Sequence, residues 1–345
     1  LRQVVFQEKL GTYYDKMERV RALAVALAER AGVSAEVRSA ADRAAFLCKA
    51  DQVTAMVQEL PELEGVMGRE YARLSGEPEA VAQAIYEHHL PRGAGDELPR
   101  TLPGALVSLA DKLDTITGCF AVGIQPTGSQ DPYGLRRQAL ACIQILRRGE
   151  LPLPLGQCLE LALDQHQVAA APTERERVLA ELRAFFRQRC AGLLRETGFR
   201  YDVVDAVLAA GFDQIPALWK RAAALAAFRE SEEFPEVMTA FTRAHNLARQ
   251  AATEAVREEL LTERAEKELY AALQELAPEL ARYEKQEDYL GYLQRGAALR
   301  EPVDNFLDGL MVMVDDAATR ENRLALLKRT AALLARHFDL SRLEF

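Results

Sequence analysis

The sequence has few residues of the kinds that bind metals or form disulfides. Its 345 residues include five histidines and five cysteines, and no two cysteines form a CxxC pair. This spacing supports neither a zinc ribbon nor a dithiol redox motif. Unpaired, scattered cysteines are typical of a reducing compartment, so we expect a cytoplasmic protein.

Long hydrophobic runs and an excess of basic charge are also absent. No stretch approaches about 18 uninterrupted apolar residues and no signal-peptide pattern leads the chain, so we expect neither a membrane-spanning nor a secretory protein. The 43 Lys and Arg residues are outnumbered by 52 Asp and Glu, giving a net charge of −9. Because that charge repels phosphates overall, any RNA-binding surface must be a local basic patch.

Alternating and β-branched runs, which favour strands, are scarce, whereas apolar residues recur at helical spacing along most of the chain. The sequence therefore predicts an all-α protein. Two apolar stripes with steps of three and four residues predict core-facing helices. The first stripe comprises Leu102, Leu106, Leu109, Leu113, Ile116 and Phe120. The second comprises Leu324, Leu327, Ala331, Leu334 and Phe338.

Breaks in the helical pattern predict three regions. The segments "GELPLPLG" and "SEEFPE" are rich in Pro, Gly and acidic residues and interrupt the periodicity. We predict a first helical domain at 1–150, connecting helices at 151–232 and a C-terminal helical domain at 233–345.

Two carboxylates lie three residues apart on the predicted 102–124 helix. Asp111 and Asp114 are a conceivable metal site, but only His88 and His89 lie nearby in sequence. Both aspartates fall opposite the apolar stripe at about 100° per residue, so solvated side chains are the favoured interpretation.

The loop at 126–132, "PTGSQDP", precedes a predicted helix. It lacks the GxxxxGK[ST] pattern of a P-loop, and the chain has no GxSxG, HExxH or GxGxxG motif. Asp131 followed by Pro132 predicts a helix N-cap and a first-turn proline. Arg136 and Arg137 follow that start, where they either contact a phosphate or are ordinary surface arginines.

Two C-terminal segments carry side chains suited to RNA bases and phosphates. On spacing alone, a solvated helix face is the favoured interpretation for either segment. In "MTAFTRAHNLARQ" the candidate residues are Arg243, Asn246 and Arg249. In "DDAATRENRLALLKR" they are Arg320, Asn322 and Arg323.

Three long segments carry a family resemblance: "CKADQVTAMVQELPELEGVMGREYA" (48–72), "ADKLDTITGCFAVGIQPTGSQDPYGLRRQAL" (110–140) and "PVDNFLDGLMVMVDDAATRENRLALL" (302–327). With shorter segments in the same order, they resemble the β-subunit family of the bacterial heterotetrameric glycyl-tRNA synthetase over essentially the whole chain. The family's N-terminal half is expected to be missing, in agreement with a first residue other than Met.

The resemblance implies a helical domain related to HD phosphohydrolases, then connecting helices, then a DALR-type anticodon-binding bundle. It implies tRNA-Gly and the synthetase α subunit as partners. The α subunit would use ATP and Mg²⁺, so no cofactor and no catalytic residue are expected in this chain. Arg136 and Arg137 would meet acceptor-arm phosphates, and the C-terminal candidates would face the anticodon.

The HD pattern needs several histidines, and this sequence departs from it. No histidine precedes His88, and Lys49 and Asp51 flank the position of the His-Asp pair. The remnants are Asp51, His88 or His89, and Asp111, which are too few for a tight metal site, so no metal is expected. The alternatives are a metal-dependent HD phosphohydrolase and a purely structural helical scaffold.

Overall fold

The computed structural model describes residues 1–166 and 171–344. Helices dominate these residues, and the strands found among them are β1 (Val5–Gln7) and β2 (Gly11–Thr12), which form one short antiparallel hairpin. The prediction of an all-α protein is confirmed.

The described chain forms two compact units. The first comprises Leu1–Leu193 with Asp213–Pro216, and the second comprises Leu194–Phe212 and Ala217–Phe345. The predicted connecting segment is thus divided between the units.

The three-domain division and the HD-like character of the first domain stay predictions. Residues 167–170 and 345 belong to the predicted 151–232 and 233–345 regions and lie outside the described residues.

The first unit is built from helices around one central helix. Its α-helices are α1 (Tyr13–Ala31), α2 (Ala35–Leu47), α3 (Ala55–Glu59), α4 (Val66–Leu74), α5 (Glu79–Glu87), α6 (Leu102–Ala121), α7 (Leu135–Arg147), α8 (Leu155–Leu163) and most of α9 (Pro172–Glu196). Helix α6 packs against α1, α2, α5, α7 and α8. It is therefore surrounded by other helices.

The N-terminus of helix α6 has a side-chain cap and a first-turn proline. The Thr101 side chain accepts a hydrogen bond from the backbone N–H of Gly104 at 3.1 Å, and Pro103 occupies the first turn. The predicted apolar stripe is buried except for Leu102, which is half-buried. Apart from Leu102 and Asp111, every residue of α6 is buried.

The interpretation of Asp111 and Asp114 as solvated side chains is wrong. The side chain of Asp114 is 0% exposed and that of Asp111 is 14% exposed. Neighbouring helices cover the face opposite the apolar stripe, and their basic side chains pair with both carboxylates. A single stripe gives the direction of the core only for a helix at the edge of a bundle.

Helix α7 starts later than predicted. Its first residue is Leu135, and Asp131 with Pro132 belongs to the preceding turn. Asp131 still caps the helix, because its carboxylate accepts hydrogen bonds from the N–H groups of Leu135 at 2.7 Å and Arg136 at 3.0 Å. Gly134 makes this possible, since it adopts φ 62°, which favours glycine.

The second unit is also helical. Its α-helices are α10 (Tyr201–Ala209), α11 (Ile215–Arg229, from Ala217 onward), α12 (Phe234–Ala248), α13 (Arg264–Lys285), α14 (Tyr289–Gly296), α15 (Arg300–Gly309) and α16 (Ala317–Ala335). Helix α12 packs against α15 and α16. The predicted stripe of α16 is buried, and Phe338 continues it beyond the end of the helix.

Candidate nucleic-acid interface

The first unit contains a cavity of about 500 Å³ that opens beside Asp111. We call it the Asp111 pocket. Its cationic lining residues are Lys16, Lys49, Arg92, Lys112 and Arg137. Its aromatic lining residues are Phe6, Tyr13 and Tyr133, and its polar lining residues include His88, His89, Asp111 and Glu64. The structure thus brings Arg137, predicted to bind tRNA, together with three predicted HD remnants.

Lys49 occupies the space between the two HD remnants of the pocket floor. Its Nζ lies 2.9 Å from Asp111 Oδ2 and 3.0 Å from His88 Nε2. Burial opposes the positive charge, but the Asp111 carboxylate outweighs that effect and raises the pKa of Lys49 above its ordinary value. An ammonium group therefore stands between the two side chains that would have to share a metal.

His88 is held as a neutral ring. Its Nδ1 contacts the carbonyl oxygen of Ile85, which fixes the proton on Nδ1 and leaves Nε2 to accept from Lys49. Burial and the Lys49 charge hold the pKa of His88 well below its usual range. The lone pair that a metal would need is already engaged, so these residues do not fit a metal ion.

Lys16 joins the two aspartates of α6. Its Nζ lies 3.0 Å from Asp111 Oδ1 and 3.1 Å from Asp114 Oδ2. Burial alone would raise the pKa of the Asp111 carboxyl, but Lys16 and then Lys49 hold it well below its usual range. Asp111 is therefore a carboxylate that is only 14% exposed and is neutralised by two ammonium groups.

Asp114 has two further basic neighbours. Arg19 Nε lies 2.7 Å from Asp114 Oδ1, and His166 Nε2 lies 3.2 Å from the same oxygen. Burial would raise the pKa of Asp114, yet Lys16, His166 and Arg19 together lower it. These contacts give Asp114 a structural role under the pocket.

The remnant Asp51 lies outside the pocket lining. Its Oδ2 accepts hydrogen bonds from the N–H groups of Gly65 at 2.7 Å and Gly68 at 3.0 Å, at the start of α4. A buried carboxylate at a helix N-terminus stabilises that helix. Within residues 1–166 and 171–344, no group of three or more His, Cys, Asp or Glu side chains could hold a metal ion.

Lys112 is the third lysine of the pocket. It donates to the carbonyl oxygens of His88 at 3.0 Å and Leu90 at 3.1 Å and to Ser108 Oγ at 2.8 Å. All three partners are uncharged. Burial lowers the pKa of Lys112 to about 8.

The two predicted arginines of α7 differ in position. Arg137 is exposed at the pocket, and no hydrogen bond or ion pair engages its side chain within the described part of the chain. Arg136 is half-buried and lies close to Arg189, whose pKa is lowered by burial and then by the Arg136 charge. Arg136, Arg137 and Arg189 therefore lie along this side of the first unit, and within the described residues none of the three forms an ion pair with a carboxylate.

In the second unit, the α12 candidates are accessible to different degrees. Arg243 pairs with Asp304 at 3.0 Å and also with Asp308, both on α15. Asn246 and Arg249 are exposed at the C-terminal end of α12. Asn246 and Arg249 are thus the α12 candidates whose polar groups face solvent.

The α16 candidates are engaged by the protein itself. Asn322 donates to the carbonyl oxygen of Arg257 and accepts from its N–H, at 3.0 and 2.7 Å. Arg323 Nε lies 2.6 Å from Glu266 Oε1. Both residues are buried, so a solvated helix face is wrong for them. Arg320 is half-buried and donates to the carbonyl oxygen of Val314 at 2.7 Å.

Sequence reasoning missed several residues of the pocket. Lys16, Lys112 and the three aromatic residues were not identified, and neither was His166. One signal was present in the sequence. The chain has many arginines and few lysines, and three of the four lysines in its first 193 residues line this pocket. The Lys ammonium is a compact point charge with three donors, so a single nitrogen can serve several acceptors that converge in a narrow space.

Comparison with known proteins identifies the family. The family model for the glycyl-tRNA synthetase beta subunit matches residues 1–209. The chain belongs to the glycyl-tRNA synthetase beta subunit family. In addition, the model for the DALR anticodon binding domain matches residues 237–344. The resemblance drawn from the sequence is confirmed.

Curated relatives named glycine–tRNA ligase beta subunit align with nearly the whole chain. The protein of Desulforamulus reducens is 48% identical over 99% of this chain and 50% of its own length. That of Moorella thermoacetica is 46% identical, with the same shares covered. That of Clostridioides difficile is 43% identical over 100% of this chain and 50% of its own length. This family member therefore spans about half the length of these relatives.

Among the described residues, no helix is both long and apolar enough to cross a bilayer.

Proposed function

We propose that this chain is the tRNA-binding part of a glycine–tRNA ligase beta subunit, which positions tRNA-Gly for glycylation by the alpha subunit. The observation that carries the proposal is the match of the DALR anticodon binding domain to residues 237–344, after the beta-subunit match to residues 1–209. One chain then offers separate surfaces for two parts of a tRNA.

The first unit would contact the acceptor arm through Arg136 and Arg137. Their guanidinium groups have no carboxylate partner within the described residues, so they are available to phosphate oxygens. Phosphate contacts fix the register of an RNA without reading its sequence. This surface would therefore orient the tRNA and leave its identity to be read elsewhere.

The second unit would contact the anticodon through the exposed end of α12. Asn246 offers an amide that both donates and accepts, and Arg249 offers a planar fork of donors. Unstacked bases of a loop present their Watson–Crick edges to such groups. Sequence selectivity is accordingly assigned to this surface.

The chain's contribution to catalysis would be positioning. The alpha subunit would supply ATP, Mg²⁺ and glycine chemistry, and this chain would need no cofactor of its own. Holding the acceptor end in register reduces the entropic part of the transfer barrier. A cytoplasmic site of action goes with this role, and the five cysteines are all free.

The test is equilibrium binding of the purified chain to tRNA-Gly and to a non-cognate tRNA over a salt series. We expect tighter binding of tRNA-Gly and a logarithmic affinity that falls linearly with logarithmic salt concentration. Equal, weak and salt-insensitive binding of both tRNAs would instead support a structural scaffold.

A further inference from the structure

We propose that the Asp111 pocket binds a nucleoside monophosphate, with its phosphate at the cationic wall and its base at the aromatic wall. This proposal goes beyond the role in tRNA positioning, because a free nucleotide requires no tRNA binding. It rests on the geometry of one cavity within the first unit.

The wall of the pocket carries more positive than negative side chains. Five cationic side chains line the pocket, against the two carboxylates of Asp111 and Glu64. Asp111 is already paired with Lys16 and Lys49, so it does not neutralise Lys112, Arg92 or Arg137. Of these three, Lys112 is buried, and its hydrogen-bond partners are uncharged, so an anionic ligand would offset part of the cost of burying its charge.

Several hydrogen-bonding groups that line the pocket are only partly engaged by the described residues. The Lys49 ammonium has three donors and two partners within the described residues. Among the described residues, the buried His89 Nε2 has no hydrogen-bond partner and lies 3.9 Å from Glu64 Oε1. Arg92 donates to the carbonyl oxygen of Glu64 at 2.9 Å, and the Arg137 side chain donates to no described residue. A phosphate group, with three terminal oxygens, is suited to donors converging from several directions.

Three aromatic rings form one wall of the pocket. Phe6 contacts Tyr13 and Tyr133, with ring centroids 5.4 and 6.0 Å apart. All three rings line the cavity. Bases stack on such rings without regard to their sequence. The cavity volume lies within the range of about 300–1,000 Å³ that is typical of small-molecule sites. Inorganic phosphate alone would leave most of it unfilled.

The proposed site binds its ligand without a metal ion. The Lys49 ammonium stands between His88 Nε2 and Asp111 Oδ2 and is within hydrogen-bond distance of both atoms. The positive charge that a metal would provide is thus supplied by lysine. Binding is accordingly expected to be unaffected by EDTA.

The test is calorimetric titration of the purified chain with AMP, adenosine and inorganic phosphate. We expect AMP to bind at least about tenfold more tightly than adenosine, because a charged hydrogen bond contributes about that much. Phosphate alone should bind more weakly than AMP. Failure of AMP to bind at millimolar concentrations, or equal binding of adenosine, would overturn the proposal.

Variants locate the ligand. Arg92→Gln and Arg137→Gln change exposed side chains and should each weaken AMP binding about tenfold. Tyr133→Leu should weaken AMP binding about fivefold or more and leave phosphate binding unchanged. Arg100→Gln is the control, since Arg100 is 73% exposed and lies outside the pocket. Thermal melting confirms that each variant is folded, and unchanged AMP affinity in all three pocket variants would contradict the site.

A competition experiment identifies the source of the nucleotide. Intact tRNA-Gly and the same tRNA lacking its 3′-terminal nucleotide are the two competitors. Displacement of AMP by the intact tRNA alone assigns the pocket to an RNA end. That outcome rests on the proposed function. No displacement by either RNA assigns it to a free nucleotide. Because AMP is titrated without RNA, failure of tRNA binding leaves the pocket test intact.

Discussion

Lys49 places its ammonium nitrogen 2.9 Å from the carboxylate of Asp111, and the pair closes the floor of the pocket. The sequence already marked Lys49 as the departure from an HD pattern. The structure shows that its ammonium stands between Asp111 and His88, two of the predicted HD remnants.

Lys49→Met is expected to destabilise the protein by about 3–5 kcal/mol, because removing one partner of a buried ion pair leaves the other charge uncompensated. The measurement is the free energy of unfolding from urea titration. Lys9→Met serves as the matched control, since Lys9 is exposed. The double variant Lys49→Met with Asp111→Leu should recover part of the loss. A loss no larger than that of the control would contradict the structural role of the pair.

Lys112 should make stability rise with pH above about 8. Its folded pKa is lowered to about 8, whereas an unfolded lysine has a pKa of about 10.4. Between these values the unfolded chain binds more protons at this residue, so its contribution to the free energy of unfolding increases as pH rises.

The readout for Lys112 is a difference between two proteins. The buried cysteines have raised pKa values, so they lower stability over the same alkaline range. We therefore expect the free energy of unfolding of the parent, minus that of Lys112→Met, to increase from pH 7.5 to pH 9.5. The increase should be on the order of the free energy that corresponds to the lowering of the Lys112 pKa. A difference that stays flat or decreases would be contrary to the burial of a charged Lys112.

The double variant Arg136→Gln with Arg137→Gln should weaken binding of tRNA-Gly and of a non-cognate tRNA by the same factor. Two phosphate contacts contribute about one to two units to the slope of logarithmic affinity against logarithmic salt, and this amount should be lost. Arg100→Gln is the control for overall charge. An unchanged slope would assign both arginines a structural role.

Glycine anticodons share two cytosines. Asn246→Ala should reduce affinity for tRNA-Gly by about 1–3 kcal/mol and have much less effect on a tRNA whose anticodon lacks those cytosines. Asn246 is exposed, so its substitution is expected to leave the melting temperature unchanged. The quantity measured is the ratio of the two affinities. An unchanged ratio for both Asn246→Ala and Arg249→Ala would remove the anticodon assignment from α12.

Arg323→Ala should behave in the opposite way. Arg323 pairs with Glu266, which is 1% exposed, so its removal is expected to cost about 3 kcal/mol or more of stability. The ratio of affinities for the two tRNAs should stay the same. A changed ratio at an unchanged melting temperature would place Arg323 at the RNA surface instead.

The sequence by itself determined the helical class, the presence of two core helices marked by the apolar stripes that begin at Leu102 and Leu324, and the family. Helical periodicity depends on residues three and four apart, so it can be read locally. The departure at Lys49 was also visible in the sequence. Asp131 was identified as a cap, but the start of α7 was misplaced because Gly134 allows the turn to continue.

Only the tertiary structure decided what the charged side chains do. Lys16 and Asp114 are separated by 98 residues in sequence and form one buried contact. Asn322 is likewise buried by a partner 65 residues away, and the aromatic wall of the pocket comes from two segments that are distant in sequence. A carboxylate or an arginine has the same local pattern whether it faces water or a distant opposite charge, because its burial depends on which helices pack over it.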